Sequence, residues 1–224
     1  MAKLKINQST IETIIFDFDG TLAKLNIDFR KMREAIAALI CSYGIAKDQL
    51  YTDLVLEMID AAFEILKQHS ERQAKKFFNE ANAIVKNIEI KAAYNGELFD
   101  HSRKLLDSLK SQDISCGIIT RNCAKAVKII FPDILSNCSV LICRDDVNNV
   151  KPHPEHLNMA LKELGGSAKN TLMIGDHPLD IKTGLNAGTK TCGVLTGRCK
   201  RNDFIKAGAD LILPQAADIL DIIK

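Results

Sequence analysis

The chain has 224 residues, enough for one sizeable α/β domain or for a core domain plus a small insert, but too few for two full catalytic domains. Its composition, 46% hydrophobic and 26% charged residues, is ordinary for a globular protein, and no run of about 18 apolar residues could cross a bilayer. A formal net charge of +2, with no basic stretch interleaved with aromatic residues, argues against a nucleic-acid or membrane partner and favours a small solute.

The amino-terminal segment MAKLKINQSTIE lacks the continuous apolar stretch of a secretory signal, so we expect a cytoplasmic protein in a reducing compartment. The 7 cysteines include no CxxC pair, which argues against a disulfide framework and against a zinc site. Cys116, Cys143 and Cys192 lie in apolar, β-branched runs, and we predict that they are buried and have no catalytic role.

The first predicted strand is the apolar segment TIIFDF, which carries acidic residues at its end. The stretch that follows, from about Leu25 to Ala93, contains no convincing strand and is typical of several amphipathic helices. Apolar residues recur in it at helical spacing and predict the core of a bundle: Ile36, Leu39, Ile40, Leu54, Met58, Ala62 and Ile65. Asn95 and Gly96 then give a turn signal where the chain would leave this insert.

After the insert, short apolar runs alternate with helix-like segments. The runs SCGIIT, SVLICR, TLMIG, TCGVL and ADLIL are each bounded by Gly, Pro or polar residues and predict buried strands. Between the runs, apolar residues recur at three- and four-residue spacing, as at Leu105 and Leu109. This alternation predicts an α/β fold, a doubly wound, Rossmann-like parallel sheet with helices on both faces, interrupted after its first strand by an all-helical insert.

The segment IIFDFDGTL has the clearest chemical meaning. Asp17 and Asp19 face the same way because strand side chains alternate, and the chain then turns through Gly20. Both carboxylates would lie at the carboxyl end of a parallel strand, where open α/β sheets bind ligands, and they repel one another unless a cation or a shared proton relieves them. One carboxylate can attack phosphorus while the other protonates the leaving oxygen. The alternative is a turn with two solvated aspartates, which the apolar flank disfavours.

This DxDGT segment resembles the first motif of the haloacid dehalogenase-like hydrolase superfamily. Three further elements follow in the order that the superfamily shows: the strand GIIT ending at Thr120, then Lys151 before a proline, then GDHPLD with Asp176 and Asp180. The resemblance covers residues 10 to 215. With helices inserted after the first motif and the downstream pattern GDHPLDIKTGLNAGTKTCGVLTG, the chain is most similar to the phosphoglycolate phosphatase-like branch.

The resemblance implies a Mg²⁺-dependent phosphatase that hydrolyses a small-molecule phosphate monoester, such as a phosphoglycolate-like compound or a sugar or nucleotide phosphate. Asp17 would be the nucleophile, and Asp19 would protonate the leaving group and then activate water. The hydroxyl of Thr120 would donate to a phosphoryl oxygen, and Lys151 would neutralise charge on the nucleophile and on the phosphoryl group.

The resemblance also implies a ligand set for the cofactor, Mg²⁺. The ion would bind among Asp17, the backbone carbonyl of Asp19 and Asp176, since Mg²⁺ prefers a few carboxylates and retains several waters. Asp180 lies one helical turn after Asp176 and would either reach the metal through water or hold Lys151.

In this branch the insert acts as a mobile cap, so we expect a catalytic core of residues 1 to 22 and 95 to 224 and a helical cap of residues 23 to 94. His153 and His156 are expected at the surface near the loop of Lys151. The cap would supply Arg30 to meet a substrate carboxylate or a second phosphate. The full set of expected substrate contacts is Gly20, Thr21, Arg121, Asn122 and Arg30.

Three rival functions stay open on the sequence alone. A dehalogenase is disfavoured, because carbon–halogen displacement needs neither Mg²⁺ nor the second carboxylate of Asp19. A phosphomutase differs in protecting the aspartyl-phosphate from water and returning the group to a sugar. A non-catalytic binding protein on the same scaffold would have no need to keep every catalytic position. The motifs define the reaction more narrowly than the substrate, which side chains of the cap would select.

Overall fold

The structure is a computed structural model and describes residues 4–6, 9–46 and 52–223. The chain divides into two compact units: Met1–Leu25 with Gly96–Lys224, termed here the core unit, and Asn26–Asn95, termed the helical unit. The helical unit starts later than residue 23, where the sequence places the start of the insert. Residues 23 and 24 form a short strand that pairs with a strand following the insert, and so they belong to the core unit.

The core unit is built on a six-stranded sheet in which all neighbouring strands are parallel. The strands of the described chain are β1 (Lys5–Ile6), β2 (Ser9–Thr10), β3 (Thr13–Phe16), β4 (Ala23–Lys24), β5 (Glu97–Leu98), β6 (Ser115–Ile119), β7 (Val140–Ile142), β8 (Thr171–Gly175), β9 (Lys190–Val194) and β10 (Leu211–Leu213). The large sheet has the order β10-β9-β8-β3-β6-β7. Each of the six predicted apolar runs forms one of its strands, and the predicted fold class is confirmed.

Four short strands were not predicted. They form two antiparallel pairs outside the large sheet, β1 with β2 and β4 with β5, and each strand has only 2 residues. A strand this short shows no alternation of apolar and polar residues, so the sequence pattern gives no signal for it.

Helices cover both faces of the sheet, as a doubly wound fold requires. The helices of the core unit are α4 (Ser102–Ser111), α5 (Ala124–Ile130), α6 (Ile134–Asn137), α7 (Glu155–Leu164), α8 (Pro178–Ala187) and α9 (Arg201–Ala207). The central strand β3 packs against both layers: Ile14 belongs to the same apolar cluster as Leu105 of α4, whereas Ile15 belongs to the cluster of Leu157 in α7.

The cysteines predicted to be structural are buried. Cys116, Cys143 and Cys192 are at most 4% exposed, and each has a free thiol. Burial raises the pKa of each of these thiols to about 12, because a thiolate in an apolar environment loses its hydration. A thiol this hard to ionise is a poor nucleophile, which agrees with a packing role.

The helical unit consists, in its described part, of α1 (Phe29–Ser42), α2 (Val55–Lys67) and α3 (Glu71–Ala93). The side chain of Asp28 caps α1 and that of Ser70 caps α3, each by accepting a backbone N–H. Most predicted core positions are buried or half-buried, but Leu54 is 38% exposed because it precedes the first turn of α2. No helix in the described ranges is long and apolar enough to cross a membrane.

The register of the sheet brings the carboxyl ends of three strands together. Phe16 at the end of β3 pairs with Ile118 of β6 on one side and with Ile174 of β8 on the other. The chain order reverses at β3, since β6 and β7 lie on one side of it and β8 to β10 on the other. Residues that follow β3, β6 and β8 therefore meet at the switch point, where open α/β sheets bind ligands.

Candidate active site

Asp17 and Asp19 lie in a tight loop that directly follows β3. The carbonyl of Phe18 accepts the N–H groups of residues 21–23 at 3.0–3.3 Å, and Gly20 takes the left-handed conformation, with φ of 80°, that reverses the chain. Asp17 is 6% exposed. The loop holds a nearly buried carboxylate at the carboxyl end of β3, as the sequence pattern predicts for Asp17.

The ammonium group of Lys151 lies between two carboxylates. Its Nζ is 2.5 Å from Oδ1 of Asp17 and 2.7 Å from Oδ1 of Asp180, and all three side chains are less than one-tenth exposed. Burial alone would lower the pKa of Lys151, but the charges and hydrogen bonds of Asp17 and Asp180 outweigh burial and raise it. Arg121 donates to the backbone carbonyl of Lys151 at 3.0 Å. The lysine is therefore charged and held in place.

Three carboxylates meet beside this lysine. Asp17, Asp176 and Asp180 each offer one oxygen, and these oxygens lie within 4.8 Å of one another. Burial raises the pKa of Asp17 to about 6 although Lys151 opposes this shift. Burial, followed by the charges of Asp17 and Asp180, raises the pKa of Asp176 to about 9. One ammonium does not balance three carboxylates, so the arrangement favours binding of a cation.

Asp180 is bound by protein donors at both oxygens. Oδ1 accepts from Nζ of Lys151, and Oδ2 accepts the backbone N–H of His177 at 3.0 Å. The close approach depends on Gly175, where a Cβ would lie 2.2 Å from Cγ of Asp180. Of the two predicted roles for Asp180, these contacts match the one in which it holds Lys151.

The loop after β6 brings two further predicted residues to the site. Thr120 is 1% exposed, and its Oγ1 accepts the backbone N–H of Asn122 at 3.1 Å. The amide Nδ2 of Asn122 donates to Oδ2 of Asp19 at 2.9 Å. The ends of β3, β6 and β8 and the loop of Lys151 thus contribute to one cluster, while the substrate contacts of Arg121 and Asn122 stay predictions.

Sequence reasoning missed the segment after β9. The hydroxyl of Thr196 donates to the carbonyl of Gly20 at 2.5 Å, and a Cβ on Gly197 would lie 1.8 Å from Oδ2 of Asp176. The dipeptide has no chemical signature of its own. The position of this dipeptide in the chain could have revealed its place in the site. It follows β9, which neighbours β8, and the carboxyl ends of parallel strands lie on the same side of a sheet.

Two other predicted substrate contacts, Thr21 and Arg30, lie in different units of the chain. Thr21 is fully buried in the core unit, and its hydroxyl donates to Oδ2 of Asp17 at 3.4 Å. Arg30 lies on α1 of the helical unit, where its side chain is 81% exposed and its Nε is 4.0 Å from Glu34. A substrate contact stays a prediction for both residues.

Comparison with known proteins identifies the family. The family described as haloacid dehalogenase-like hydrolase matches residues 14–194. A pyrophosphatase PpaX from Bacillus pumilus is 28% identical over 237 residues, covering 97% of this chain and 99% of the relative. An N-acetylmuramic acid 6-phosphate phosphatase from Pseudomonas aeruginosa is 27% identical over 222 residues, covering 95% of each chain. A crystal structure described as a predicted phosphoglycolate phosphatase from Haemophilus somnus superposes with a TM-score of 0.64 at 20% identity, covering 96% of this chain and 98% of the other.

The expectation that His156 lies at the surface is wrong. The ring is fully buried, Nδ1 accepts the backbone N–H of Lys151 at 3.3 Å, and Nε2 is 3.1 Å from the carbonyl of Ile142. The ring proton therefore sits on Nε2, and the histidine links the loop of Lys151 to β7. Burial, and then the charge of Lys151, lower its pKa to about 4. The charge of Arg121 acts in the same direction, whereas that of Glu155 opposes it.

We expect His156 to make stability depend on pH. The pKa of about 4 in the folded state lies below the unfolded value of 6.5, so stability is fully present above pH 6.5 and is lost as the pH falls towards 4. At about 1.4 kcal/mol per pH unit, the free energy of unfolding of the unmodified protein should fall by about 2–3 kcal/mol more than that of His156→Gln between about pH 6.5 and 4.5. Denaturant unfolding at both pH values measures this difference. His153→Gln, at a ring that is 53% exposed, is the control, and equal losses in all three proteins would contradict the assignment.

Proposed function

This chain belongs to the haloacid dehalogenase-like hydrolase family, and we propose that it is a Mg²⁺-dependent phosphatase that acts on a small-molecule phosphate monoester through an aspartyl-phosphate on Asp17. The observation that carries the proposal is the buried contact of Lys151 with Asp17, beside two further carboxylates, at the carboxyl end of β3. A nucleophilic carboxylate held by a cation, next to a second cation site, suits transfer of a phosphoryl group.

The relatives support the reaction class more than any one substrate. One is named a pyrophosphatase and the other an N-acetylmuramic acid 6-phosphate phosphatase, and both match this chain over nearly its whole length. Their identities of 28% and 27% do not favour one substrate over the other. We therefore propose a phosphate monoester in the range of phosphoglycolate-like, sugar or nucleotide phosphates.

The residues present fit a Mg²⁺ ion. Hard carboxylate oxygens are its preferred protein ligands, and Asp17 and Asp176 would hold it together with the backbone carbonyl of Asp19. Neither Gly20 nor Gly197 has a Cβ, which at either position would come within 2.3 Å of Oδ2 of Asp176. When bound, Mg²⁺ supplies positive charge to the carboxylates and to the phosphoryl oxygens.

Four side chains of the core unit have separate roles in the proposed reaction. A carboxylate oxygen of Asp17 attacks phosphorus, the bond from phosphorus to the leaving oxygen breaks, and that oxygen takes its electron pair and a proton from Asp19. Water then attacks the phosphorus of the aspartyl-phosphate, Asp19 accepts the proton, and the electron pair of the broken bond returns to Asp17. Lys151 holds Asp17 and offsets negative charge throughout, and the hydroxyl of Thr120 donates to a phosphoryl oxygen.

We propose that the helical unit is a cap that contributes to substrate choice, with Arg30 as its candidate contact for a substrate anion. In support, Arg30 is highly exposed on α1, so its guanidinium is accessible to a ligand. Gly20, Thr21, Arg121 and Asn122 stay the proposed substrate contacts from the core unit. In support, Thr21 donates to Asp17, and Arg121 donates to the backbone carbonyl of Lys151.

Asp17→Asn should lower phosphate release from p-nitrophenyl phosphate by at least about 10³-fold, because it removes the nucleophile. The control is Asp107→Asn, at an exposed aspartate on α4, which should retain full activity. Mass spectrometry of acid-quenched enzyme should detect a phosphoryl group on Asp17 in the unmodified protein and none in Asp17→Asn. Unchanged activity of Asp17→Asn would remove the nucleophile assignment, and transfer of the group to a sugar phosphate instead of to water would identify a mutase.

Mg²⁺ at about 100 times its dissociation constant should raise the melting temperature by about 5–10 °C, because it binds the folded state alone. Asp176→Asn should abolish this increase, yet melt at or above the temperature of the unmodified metal-free protein, since it replaces a carboxyl group whose charged form is disfavoured by burial and by the neighbouring carboxylates. Thermal unfolding with and without Mg²⁺ tests both effects.

Gly197→Ala and Gly166→Ala form a matched pair of variants for the same measurement. Gly197→Ala should weaken the response to Mg²⁺ by displacing Asp176, whereas Gly166→Ala, where the nearest atom to the new Cβ would be 3.1 Å away at Thr13, should respond like the unmodified protein. A full Mg²⁺ response in both Asp176→Asn and Gly197→Ala would exclude the proposed metal site.

A further inference from the structure

Asn122 is buried, and its hydrogen bonds join two groups of the proposed machinery. The residue is 3% exposed. Its backbone N–H donates to Oγ1 of Thr120 at 3.1 Å, and its side-chain Nδ2 donates to Oδ2 of Asp19 at 2.9 Å. Its Oδ1 accepts the backbone N–H of Cys123 at 2.8 Å. The amide nitrogen and the amide oxygen of the side chain thus each contact another protein group.

These contacts determine which way the amide faces. The backbone N–H of Cys123 can only donate, so the atom of Asn122 that faces it must be the oxygen. The amide nitrogen then points at Asp19 and offers it a hydrogen. A reversed amide would set two donors against each other at Cys123 and two acceptors against each other at Asp19. The direction of the hydrogen bond to Asp19 is thus fixed by its surroundings.

A donor at Oδ2 has a consequence for the proton that Asp19 carries. A protonated carboxyl group has one O–H and one carbonyl oxygen, and the carbonyl oxygen is the better acceptor of a hydrogen bond from an amide. The proton is then held on Oδ1. Without Asn122 this donor at Oδ2 is lost, and the preference for a proton on Oδ1 is lost with it.

We propose that Asn122 is a positioning residue that holds Asp19 by Oδ2, so that Oδ1 is the atom that exchanges the proton with the leaving group and then with water. This inference rests on the proposed function, because it assigns a role within the acid and base steps of Asp19. In the first step the proton on Oδ1 passes to the leaving oxygen as that oxygen takes the electron pair of its bond to phosphorus. In the second step Oδ1 accepts the proton of the attacking water.

The same residue orients Thr120 through its backbone. Because the N–H of Asn122 occupies a lone pair of Oγ1, the hydroxyl hydrogen of Thr120 is directed away from it and can be donated to a phosphoryl oxygen. Replacement of the Asn122 side chain leaves this backbone contact intact. Side-chain variants therefore test the effect on Asp19 separately from that on Thr120.

The test compares kcat/KM for substrates that differ in their need for a proton. The bond to a p-nitrophenolate leaving group breaks with little help from an acid, whereas a simple alkyl phosphate needs protonation of the leaving oxygen. The value of kcat/KM reports the steps up to the first bond cleavage, so it isolates the acid role from the later base role. The ratio of the two substrates in one preparation does not change with the fraction of folded enzyme, so a partly misfolded variant still gives a readable result.

Asn122→Leu should lower kcat/KM for the alkyl phosphate by about 10- to 100-fold, as expected for loss of a hydrogen bond to a carboxyl group that becomes charged as it gives up its proton, and that for p-nitrophenyl phosphate by less than about threefold. Asn170→Leu is the matched control, because Asn170 makes the same kind of amide-to-carboxylate contact, with Glu12 at 2.8 Å, at the opposite end of β3. Its substrate ratio should equal that of the unmodified enzyme.

A double-mutant cycle with Asp19→Asn decides whether Asn122 acts through Asp19. In the Asp19→Asn background, Asn122→Leu should have no further effect on the substrate ratio, since the acid is already lost. An equal loss for both substrates in the single variant, or an undiminished effect in the double variant, would overturn the inference. The proposed function fails separately, when the unmodified enzyme forms no phosphoryl-aspartate, and that result would remove the inference with it.

Discussion

Lys151 brings one positive charge into a part of the core unit where three carboxylates converge. Its Nζ contacts Asp17 and Asp180, and all three groups are almost completely shielded from water. Loss of one partner from a buried ion pair typically costs about 3–5 kcal/mol, because the remaining charge is neither hydrated nor paired. The lysine therefore ties the loop after β7 to the residue that follows β3 and to the first turn of α8. Even so, the carboxylates outnumber the ammonium, and burial followed by the charges of Asp17 and Asp180 raises the pKa of Asp176.

The close spacing of these charges depends on three glycines, whose backbone has no Cβ at the point of contact. Gly20, Gly175 and Gly197 each approach a carboxylate so closely that a Cβ would overlap it. At Gly20 the left-handed conformation adds a second reason for glycine, because the loop must reverse within a few residues of Asp17. Asp176 and Asp180 consequently sit against main chain instead of against bulky neighbours. Charges that repel are thus brought together by the rigid ends of parallel strands, a geometry that suits a bound cation.

The sequence predicted the parts of this arrangement that follow from periodicity and from chemistry-bearing residues at strand ends. The six strands of the large sheet, the helical insert and the cluster of Asp17, Lys151 and Asp180 could be inferred in this way. The role of His156 could not be inferred, because a histidine in a polar segment gives no local sign of burial. Its burial is apparent only from its contacts with Lys151 and β7. Thr196 was missed for a related reason: its contact with Gly20 joins residues 176 positions apart, and nothing local marks it.

The contacts of Asn122 indicate that the proposed reaction and the choice of substrate can depend on different residues of this chain. Every group proposed to act on phosphorus lies in the core unit, where the register of the sheet determines its position. The amide of Asn122 contacts Asp19, which is proposed to protonate the leaving oxygen, an atom common to all phosphate monoesters. A device of this kind serves any substrate of the class equally well and cannot discriminate among them. Discrimination would then come from groups that meet the rest of the substrate, as proposed for the exposed Arg30 of the helical unit, which is free of the geometric demands on the proposed catalytic residues.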